Sequence, residues 1–413
     1  MSPELCDVLV IGGGPAGATA AALLAARGRD VVLLEKQAHP RFQIGESLLP
    51  RNLAILERLG VSNAVDAIAV CKRGAEFVSD TTGQSVAFPF SVSVRRGPAH
   101  AYQVQRAAFD KILFDNAVAK GARGFERTRA LAVEPGPYGR QVVRARGDAE
   151  WAEHRFLPRY ILDASGRDGF LAHALGNRQS DKRHNSASVF AHYRGAEART
   201  GAREGYISVH LAEDGWFWLI PLPDGVMSVG FVGTAAAFKG RAGSLAALLD
   251  DRIAASPTVG ARMQGATRVS DVMGAANYGY QAHRSWTENS CMIGDAFAFT
   301  DPVFSSGVLL AMTAGELGAD AADAWLDDPV RGNAIARRNE RALRASMARI
   351  AWLIARINTP ALRAMFMSPS NALGMRDGLV SLLAGNLARD MRTLPSVLAF
   401  KAAYYILSLR RRQ

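Results

Sequence analysis

The sequence predicts an α/β fold in which a Rossmann-type nucleotide-binding domain carries an inserted, mainly antiparallel β domain and a helical C-terminal region. Three observations predict it. A strand, a glycine-rich turn, a helix and a second strand open the chain, short strand-like runs bounded by turn residues fill much of its middle, and residues 331–413 are helical in pattern. A length of 413 residues is enough for two to three domains.

Composition limits the class of protein. A hydrophobic content of 49% and a charged content of 21% are typical of a folded domain with a sizeable core. The sequence shows no uninterrupted apolar run long enough to span a bilayer and no basic leader at its start, so we expect neither a transmembrane helix nor a signal peptide. Three scattered cysteines (Cys6, Cys71 and Cys291) argue against a disulfide framework and predict a cytoplasmic protein.

The chain is basic, with a formal net charge of +11. Such a surface attracts anionic partners, although simple solubility remains an alternative explanation. The sequence contains no nucleic-acid-binding motif and no Cys/His cluster, so we predict neither a nucleic-acid partner nor a metal site.

A nucleotide-binding turn follows the first strand, which we predict over residues 6–11. Gly12 permits a tight turn, Gly14 lets the backbone approach a pyrophosphate, and Gly17 lets the helix pack closely on the strand. The helix that follows presents free N–H groups to phosphates. Glu35 ends the second strand, where a carboxylate accepts hydrogen bonds from ribose hydroxyls. The predicted contacts are Gly12, Gly14, Ala16, Gly17 and Glu35.

Later segments resemble those that return to the first FAD site in flavoproteins with two dinucleotide-binding domains. Residues 163–167 (DASGR) follow an apolar strand, and Gly294-Asp295 follows another and precedes a predicted helix. The resemblance implies that Asp295 and Arg106 contact the cofactor, while a helix-capping role for Asp295 is a compatible alternative. No second glycine fingerprint follows a strand, so the predicted cofactor is FAD.

The loop over residues 41–50 (RFQIGESLLP) resembles the flavin strap of halogenases, which covers the flavin ring and links the cofactor to the substrate compartment. A helix is predicted to begin near Arg51. Related loops occur in monooxygenases and geranylgeranyl-reductase-like proteins, so this motif marks the superfamily only. The cofactor contacts implied by the resemblance are Arg41, Ile44, Gly45, Glu46 and Ser47.

Lys72 lies in the run Cys71-Lys72-Arg73-Gly74-Ala75, which resembles the KxGA-like context of the halogenase lysine at the end of a tunnel from the flavin. The resemblance implies that Lys72 is catalytic and receives hypohalous acid. An ammonium would polarise that acid, whereas a neutral amine would form a haloamine, and both remain open because burial lowers a lysine pKa. A surface lysine beside Arg73 is the alternative.

The run WFWLIP over residues 216–221 matches the WxWxIP motif of halogenases. In a strand, Trp216, Trp218 and Ile220 share one face, and Pro221 ends the ladder. Alone, the run is typical of an aromatic core strand. The resemblance implies a wall between flavin and substrate that forces the oxidant to leave as hypohalous acid. Flanking strands near 206–210 and 226–232 predict an antiparallel sheet, with His210 in it or at its rim.

Residues 299–307 (FTDPVFSSG) resemble the second halogenase signature and precede a helix predicted from Val308 to Leu317, capped by Ser305. The resemblance implies a halide site at Ser306 and Gly307, with Pro302 and Gly307 near the flavin. An ordinary capped helix is the alternative. Phe304 stands where tryptophan halogenases carry a glutamate that helps to place the indole. The implied substrate is therefore a phenol or pyrrole beside Phe304, free or tethered to a carrier protein.

The C-terminal region carries one apolar helical stripe and many arginines. The stripe consists of Leu343, Met347, Ile350, Ile354 and Ile357. We favour packing over the substrate chamber. Alternatives are docking of an acidic carrier protein on Arg337, Arg338 and Arg341, and a basic end that lies on a membrane, since the apolar run 398–409 is too short to span one.

Together, residues 5–325 resemble a two-component flavin-dependent halogenase of the phenol or pyrrole type. The predicted parts are a discontinuous FAD domain (1–72, 101–185 and 270–330), a substrate domain (73–100 and 186–269) and a helical region (331–413). The resemblance implies FAD as FADH₂, O₂, chloride or bromide, and a separate NAD(P)H flavin reductase; we expect a monomer or dimer. The rivals are a single-component aromatic monooxygenase, a geranylgeranyl-reductase-like flavoprotein and a scaffold without turnover.

Overall fold

The computed structural model describes residues 2–94, 97–148, 153–180, 186–238, 243–276, 279–299, 303–387 and 394–410. The strands are β1 Glu4–Ile11, β2 Val31–Leu34, β3 Ala69–Lys72, β4 Gly74–Ser79, β5 Ser85–Pro89, β6 Ala101–Val104, β7 Arg123–Phe125, β8 Arg129–Pro135, β9 Gln141–Arg146, β10 Glu153–Asp163, β11 Arg178–Ser180, β12 Ser186–Arg194, β13 Ile207–Leu211, β14 Gly215–Pro221, β15 Val226–Thr234, β16 Thr267–Arg268, β17 Met273–Ala276, β18 Tyr280–Ala282, β19 Ser290–Met292 and β20 Ala298–Phe299. The helices are α1 Pro15–Ala25, α2 Pro50–Leu59, α3 Ser62–Asp66, α4 Arg106–Ala119, α5 Phe170–Ala174, α6 Leu245–Ala255, α7 Pro257–Arg262, α8 Gly307–Asp327, α9 Pro329–Ile354, α10 Pro360–Met367, α11 Met375–Leu383 and α12 Leu394–Arg410.

The first sheet has the strand order β7-β2-β1-β10-β9-β8, with β19 also paired to β10. β1 pairs in parallel with both β2 and β10, and Val8, Leu9 and Val10 are fully buried. A parallel strand covered on both faces is expected to be continuously apolar, as this one is. The predicted strand, turn, helix and strand at the N-terminus are confirmed.

The second sheet has the order β16-β12-β15-β14-β13-β4-β5, with β17 also paired to β12. Its described pairs are antiparallel except for β13 with β4, so the prediction of a mainly antiparallel sheet is confirmed. β4 begins two residues after Lys72, and β13 joins β4 directly to β14.

The two faces of β14 pack into different cores. Trp216, Trp218 and Ile220 belong to the large core shared with the first sheet, whereas Phe217 and Leu219 belong to a smaller core with residues of α6 and α7. The period of two predicted for this strand is therefore confirmed. His210, on the neighbouring β13, is buried in the sheet, as predicted. Its Nδ1 atom lies 2.7 Å from the hydroxyl of Thr258.

The C-terminal helices cover the second sheet and the long helix α8, which packs between α1 and α9. Ile350, Ile354 and Ile357 of the predicted stripe are buried. α10 packs on β4 and β5, and α12 packs on α10 and α11. In the described part of the chain, no helix has the length and apolarity needed to cross a membrane. The three-part domain division stays a prediction.

We expect a side chain at Gly230 to destabilise the second sheet. Gly230 pairs with Trp218, and a Cβ atom there would lie 2.2 Å from Cζ2 of the indole. Gly230→Ala should lower the free energy of unfolding by about 1–3 kcal/mol and alter tryptophan fluorescence, because the ring must move. Gly97→Ala is the control, since a Cβ atom there meets no heavy atom of the described residues within 4 Å. Equal unfolding free energies for the two variants would contradict this packing.

Candidate active site

The glycine turn between β1 and α1 has no room for side chains at two positions. Gly12 has a φ of +108°, and a Cβ atom there would lie 2.3 Å from the carbonyl oxygen of Ala164. A Cβ atom at Gly17 would lie 1.9 Å from the carbonyl oxygen of Gly12. Ala164 directly follows β10, so the predicted return of residues 163–167 to the turn is present. Ala16 is buried in the first turn of α1.

A carboxylate and a guanidinium lie beside this turn. Glu35 is 4% exposed, and its Oε2 atom accepts hydrogen bonds from the Gly13 N–H group at 3.0 Å and from Arg41 Nη2 at 3.2 Å. At Gly14 the nearest atom to a Cβ position is Arg41 Nη2, at 3.5 Å. The structure thus brings Glu35, Arg41 and the glycine turn together, as predicted contacts of one dinucleotide must be.

Asp110, whose role the sequence reasoning missed, connects Arg41 to Arg106. Its fully buried carboxylate accepts from Arg41 Nη1 at 2.9 Å and takes a fork from Arg106, with Nε at 2.7 Å and Nη2 at 2.9 Å. Charge-assisted forks of this kind are the strong class of hydrogen bond. The available signal was the spacing of four residues between Arg106 and Asp110 on one helix.

Arg106 also holds the strap, defined as residues 41–50. Its Nη1 atom donates to the carbonyl oxygen of Ile44 at 2.7 Å. Gly45 has a φ of +103°, and a Cβ atom there would lie 3.1 Å from Arg106 Nη1 and 3.7 Å from Cγ2 of Val308. The strap therefore runs between α4 and the first turn of α8, and Gly45 is the residue that permits this close passage.

Glu46 points from the strap toward the second sheet. It is 1% exposed, and its Oε1 atom lies 2.7 Å from Nε2 of His192 on β12. Its Oε2 atom is buried and has no hydrogen-bond partner among the described residues. A buried polar atom without a partner is costly, which indicates a place for a donor from a bound group. His192, which sequence reasoning missed, becomes visible only through this tertiary contact.

Lys72 is buried at the end of β3, with 1% exposure. Its Nζ atom donates to Ser47 Oγ at 2.8 Å and to the carbonyl oxygen of Leu48 at 3.0 Å, and it lies 5.3 Å from the centroid of the Phe90 ring. Among the described residues no carboxylate forms an ion pair with it. Burial therefore lowers the pKa of Lys72 to about 7, so both protonation states are accessible near neutral pH.

The two tryptophans of β14 face the strap side of the sheet. Their exposures are 3% and 5%, their rings are 5.9 Å apart, and Trp218 Nε1 donates to Ser228 Oγ at 3.1 Å. Trp218 contacts Phe190 at 5.7 Å between ring centroids, and Phe190 in turn stacks on Phe42 of the strap at 6.4 Å. Ile220 is buried, and Pro221 ends the strand. A continuous aromatic layer thus joins the strap to the sheet.

The start of α8 is open. Ser306 is the N-cap residue, is 2% exposed and makes no side-chain capping bond. Among the described residues, a Cβ atom at Gly307 would meet no heavy atom within 4 Å, and the first N–H groups of a helix have no partner within the helix itself. The prediction that Ser305 caps the helix was wrong, because this residue has a φ of +56° and Ser306 takes that position. Pro302 lies outside the described residues.

Asp295 and Phe304 lie on either side of this opening. Asp295 stands in the 3₁₀ turn Gly294–Ala296 rather than before an α-helix, and it lines a cavity with Phe299, Gly307 and Met347. Desolvation raises its pKa to about 6, against the lowering effect of Arg106 and Arg167. Phe304 is 5% exposed and stacks on Phe366 of α10 at 6.3 Å.

Comparison with known proteins identifies the family. Residues 5–315 match the model described as "FAD binding domain". The chain belongs to this FAD-binding family. Its homologues include the flavin-dependent halogenase rdc2 of Metacordyceps chlamydosporia, 32% identical over 80% of this chain and 66% of the relative. A 1H-pyrrole-2-carbonyl-peptidyl-carrier-protein chlorinase of Pseudomonas fluorescens is 26% identical over 77% of this chain and 76% of the relative. The chain thus spans just under two thirds of the length of rdc2.

Two solved structures have the same fold along almost the whole chain. A flavoprotein/dehydrogenase from Cytophaga hutchinsonii has a TM-score of 0.89 at 26% identity, with 99% of this chain and 100% of that chain covered. The flavin-dependent brominase Bmp2 has a TM-score of 0.83 at 25% identity, with the same coverage. The FAD-binding α/β fold with C-terminal helices and the resemblance to halogenases, both predicted from the sequence, are confirmed.

The residues of this family member fit FAD. The glycine turn has the close backbone approach that a pyrophosphate requires, and the N-terminus of α1 supplies its donors. Glu35 holds its carboxylate beside this turn, at the Gly13 N–H group. Further along, the unpartnered Oε2 atom of Glu46 and the open space at Gly307 suit the polar edge of a flavin ring.

We expect Asp110→Asn to weaken FAD binding by about tenfold or more. Loss of the carboxylate leaves Arg41 and Arg106 without their shared counter-ion and loosens the strap. The dissociation constant is measured by flavin fluorescence quenching. Asp115→Asn on the same helix is the control, because Asp115 is exposed and pairs only with Lys111 among the described residues. An unchanged dissociation constant in Asp110→Asn would contradict this role.

We expect the buried amine of Lys72 to make stability pH-dependent. Its pKa of about 7 in the folded chain lies below the ordinary 10.5, so the unfolded chain binds the extra proton between these values. Stability therefore rises as pH increases from about 7 toward 10.5, by up to about 1.4 kcal/mol per pH unit from this group. The difference in unfolding free energy between wild type and Lys72→Met should show that slope in urea titrations. Lys111→Met should not, because Lys111 is solvent-exposed.

Proposed function

We propose that this protein is an FADH₂-dependent halogenase that chlorinates or brominates an electron-rich aromatic carbon. The observation that carries the proposal is the buried contact of the Lys72 amine with Ser47 and Leu48 of the strap. The overall oxidation balances as FADH₂ + O₂ + X⁻ + H⁺ → FAD + HOX + H₂O. The transfer that follows balances as HOX + ArH → ArX + H₂O.

The proposed cofactor site consists of residues of the strap and of the helices α4 and α8 that contact it. Arg41 and Arg106 neutralise the pyrophosphate region while Asp110 fixes their orientation. Ile44, Gly45, Glu46 and Ser47 would hold the flavin from the strap side, and Asp295 and Gly307, which line one cavity, would contribute further contacts. Bound reduced FAD supplies the electrons that, with O₂ and halide, give hypohalous acid. We assign the halide to the N–H groups at Ser306 and Gly307, since a helix N-terminus with free donors binds anions.

The aromatic layer and Lys72 are proposed to separate formation of the oxidant from its use. Trp216 and Trp218, with Ile220 and Pro221 at the strand end, exclude water and block direct contact between flavin and substrate. Hypohalous acid then passes along the strap to Lys72. The ammonium form donates a hydrogen bond to its oxygen, and the neutral form is a nucleophile toward the halogen. With a pKa of about 7, Lys72 has access to both.

Phe304 supports a phenolic or pyrrolic substrate. Among the described residues, the surroundings of Phe304 are aromatic, through Phe366, which packs on Phe77 at 4.4 Å and on Phe88 at 5.6 Å. An aromatic ring is well accommodated there by stacking and edge contacts. This position lacks the carboxylate with which tryptophan halogenases help to place an indole.

The basic surface of α9 supports an acidic carrier protein as the partner that presents the substrate. Arg337, Arg338 and Arg341 are exposed on one side of this helix. The similarity to a chlorinase whose name includes a peptidyl-carrier protein points the same way. A separate NAD(P)H flavin reductase completes the proposed system.

The decisive test is an assay coupled to a flavin reductase, with NADH, FAD and bromide, scored by mass spectrometry on free and carrier-bound phenols and pyrroles. We expect a brominated product that requires bromide, and a loss of about 100-fold or more in turnover for Lys72→Ala with FAD binding retained. Lys111→Ala is the matched control. A hydroxylated product that forms without halide would replace the halogenase with a monooxygenase.

The likeness to a flavoprotein/dehydrogenase gives the second candidate, a reductase of unsaturated bonds. It predicts consumption of reduced flavin without O₂ or halide, and reduction of the organic substrate. An anaerobic assay with the same panel distinguishes it.

Charge reversal at Arg337, Arg338 and Arg341 should slow turnover of carrier-bound substrate only; unchanged turnover would remove the carrier from the proposal.

A further inference from the structure

The last described helix, α12, is apolar around most of its circumference. Its sequence from Leu394 to Arg410 contains no acidic residue and only two basic ones, Lys401 and Arg410. A helix with this composition is normally covered on all sides in a soluble domain. The face that carries the buried Phe400 and Tyr404 packs on α10 and α11, and Trp352 of α9 contacts the rings of Phe400, Tyr404 and Tyr405.

The opposite face of α12 exposes a continuous apolar stripe. Leu398 is 54% exposed, Tyr405 50%, Ile406 53% and Leu409 67%. Spacings of seven, eight and eleven residues from Leu398 put these side chains on one side of the helix. Large apolar side chains grouped in this way mark an interaction surface, whereas single exposed ones are ordinary.

Cations and aromatic rings border the stripe. The Arg356 guanidinium lies 4.7 Å from the Trp352 ring centroid and 5.6 Å from that of Tyr404, and Lys401 Nζ lies 5.0 Å from that of Trp352. Within the described chain, neither cation has a carboxylate in ion-pair range. Rings with a polar edge, placed beside long cationic side chains, are the composition that proteins use at membrane–water interfaces.

We propose that α12 docks this protein onto the surface of an anionic membrane. The helix lies in the plane of the interface, with Leu398, Ile406 and Leu409 inserted at the level where headgroups meet acyl chains. Lys401, Arg356 and Arg410 contact lipid phosphates. The net charge of +11 adds long-range attraction to the same surface.

Charge decides between this occupant and a second copy of the chain. A symmetric pairing of α12 with α12 would bring the cations of both copies together and would provide no carboxylate from the helix itself. An anionic lipid surface supplies both an apolar layer and compensating charge. The inference does not depend on the proposed catalytic function, because it rests on α12 and the adjoining end of α9.

The test is cosedimentation of the full-length holoprotein with vesicles of phosphatidylcholine alone and of phosphatidylcholine mixed with phosphatidylglycerol. We expect binding to the anionic vesicles that weakens as salt is added, and little binding to neutral ones. The variant Leu398→Glu/Ile406→Glu/Leu409→Glu should lose at least about tenfold in affinity. The control is Val330→Glu/Leu373→Glu, because these side chains are 80% and 81% exposed and lie elsewhere.

Bound FAD and circular dichroism report whether each variant is folded, and Leu409→Glu alone, near the helix end, is the milder replacement if the triple variant is not. The proposal is overturned if wild type fails to bind anionic vesicles at low salt, or if triple and control variants bind equally. A dimer in light scattering that the triple variant abolishes, without vesicle binding, would assign the stripe to a second copy. Capture of an acidic carrier protein by this face, again without vesicle binding, would overturn the proposal in the same way.

Discussion

The hydrogen bonds from Lys72 to Ser47 and Leu48 are the contact on which the arrangement of the site depends. Through them, a strand that leads into the second sheet is joined to a loop that also contacts α4 through Arg106 and the second sheet through His192. Five successive strap residues, Ile44 to Leu48, reach Arg106, Val308, His192 and Lys72. A displacement of the strap would therefore shift the distances among Arg106, the first turn of α8 and Lys72 together.

The two buried charged side chains Asp110 and Lys72 differ in whether an opposite charge lies beside them among the described residues. Asp110 lies between two guanidinium groups, so its charge is compensated, and the group acts as a fixed support. Among the described residues, Lys72 donates only to the neutral acceptors Ser47 and Leu48, so its charge is uncompensated and burial lowers its pKa to about 7. Compensation suits a residue that must hold its neighbours in place. Its absence leaves Lys72 able to change its protonation state near neutral pH, which is the property that the proposed function requires of this residue.

Local patterns predicted most of the fold, because they depend on residues close in sequence. The glycine turn, the alternation of Trp216 and Trp218, and the apolar stripe of α9 each follow from backbone geometry over a few residues. His192 was missed because its partner Glu46 lies 146 residues away in sequence, and the role of Asp110 was missed because its second partner, Arg41, lies 69 residues away, although its spacing from Arg106 was a local signal. The side chains of Ser305 and Ser306 are equally suitable for a helix cap, so the sequence could not distinguish the two residues. The left-handed backbone at Ser305 shows that Ser306 is the N-cap residue.

The register of β4, β13 and β14 determines the spacing between Lys72 and the two tryptophans, Trp216 and Trp218. β4 starts just after Lys72, Ala75 is in register with Ile207, and Val209 is in register with Trp218. Because strand faces alternate with a period of two, a slip of one residue between β13 and β14 would turn Phe217 and Leu219 toward the strap and both indoles away. The turn over residues 212–214 joins β13 to β14, and it is itself anchored, because Ala212 is buried in the smaller core and Asp214 pairs with Arg252. The number of residues in this turn is constrained as well, because a register shift of one residue would turn every side chain of β14 to the opposite face, whatever the identity of the turn residues.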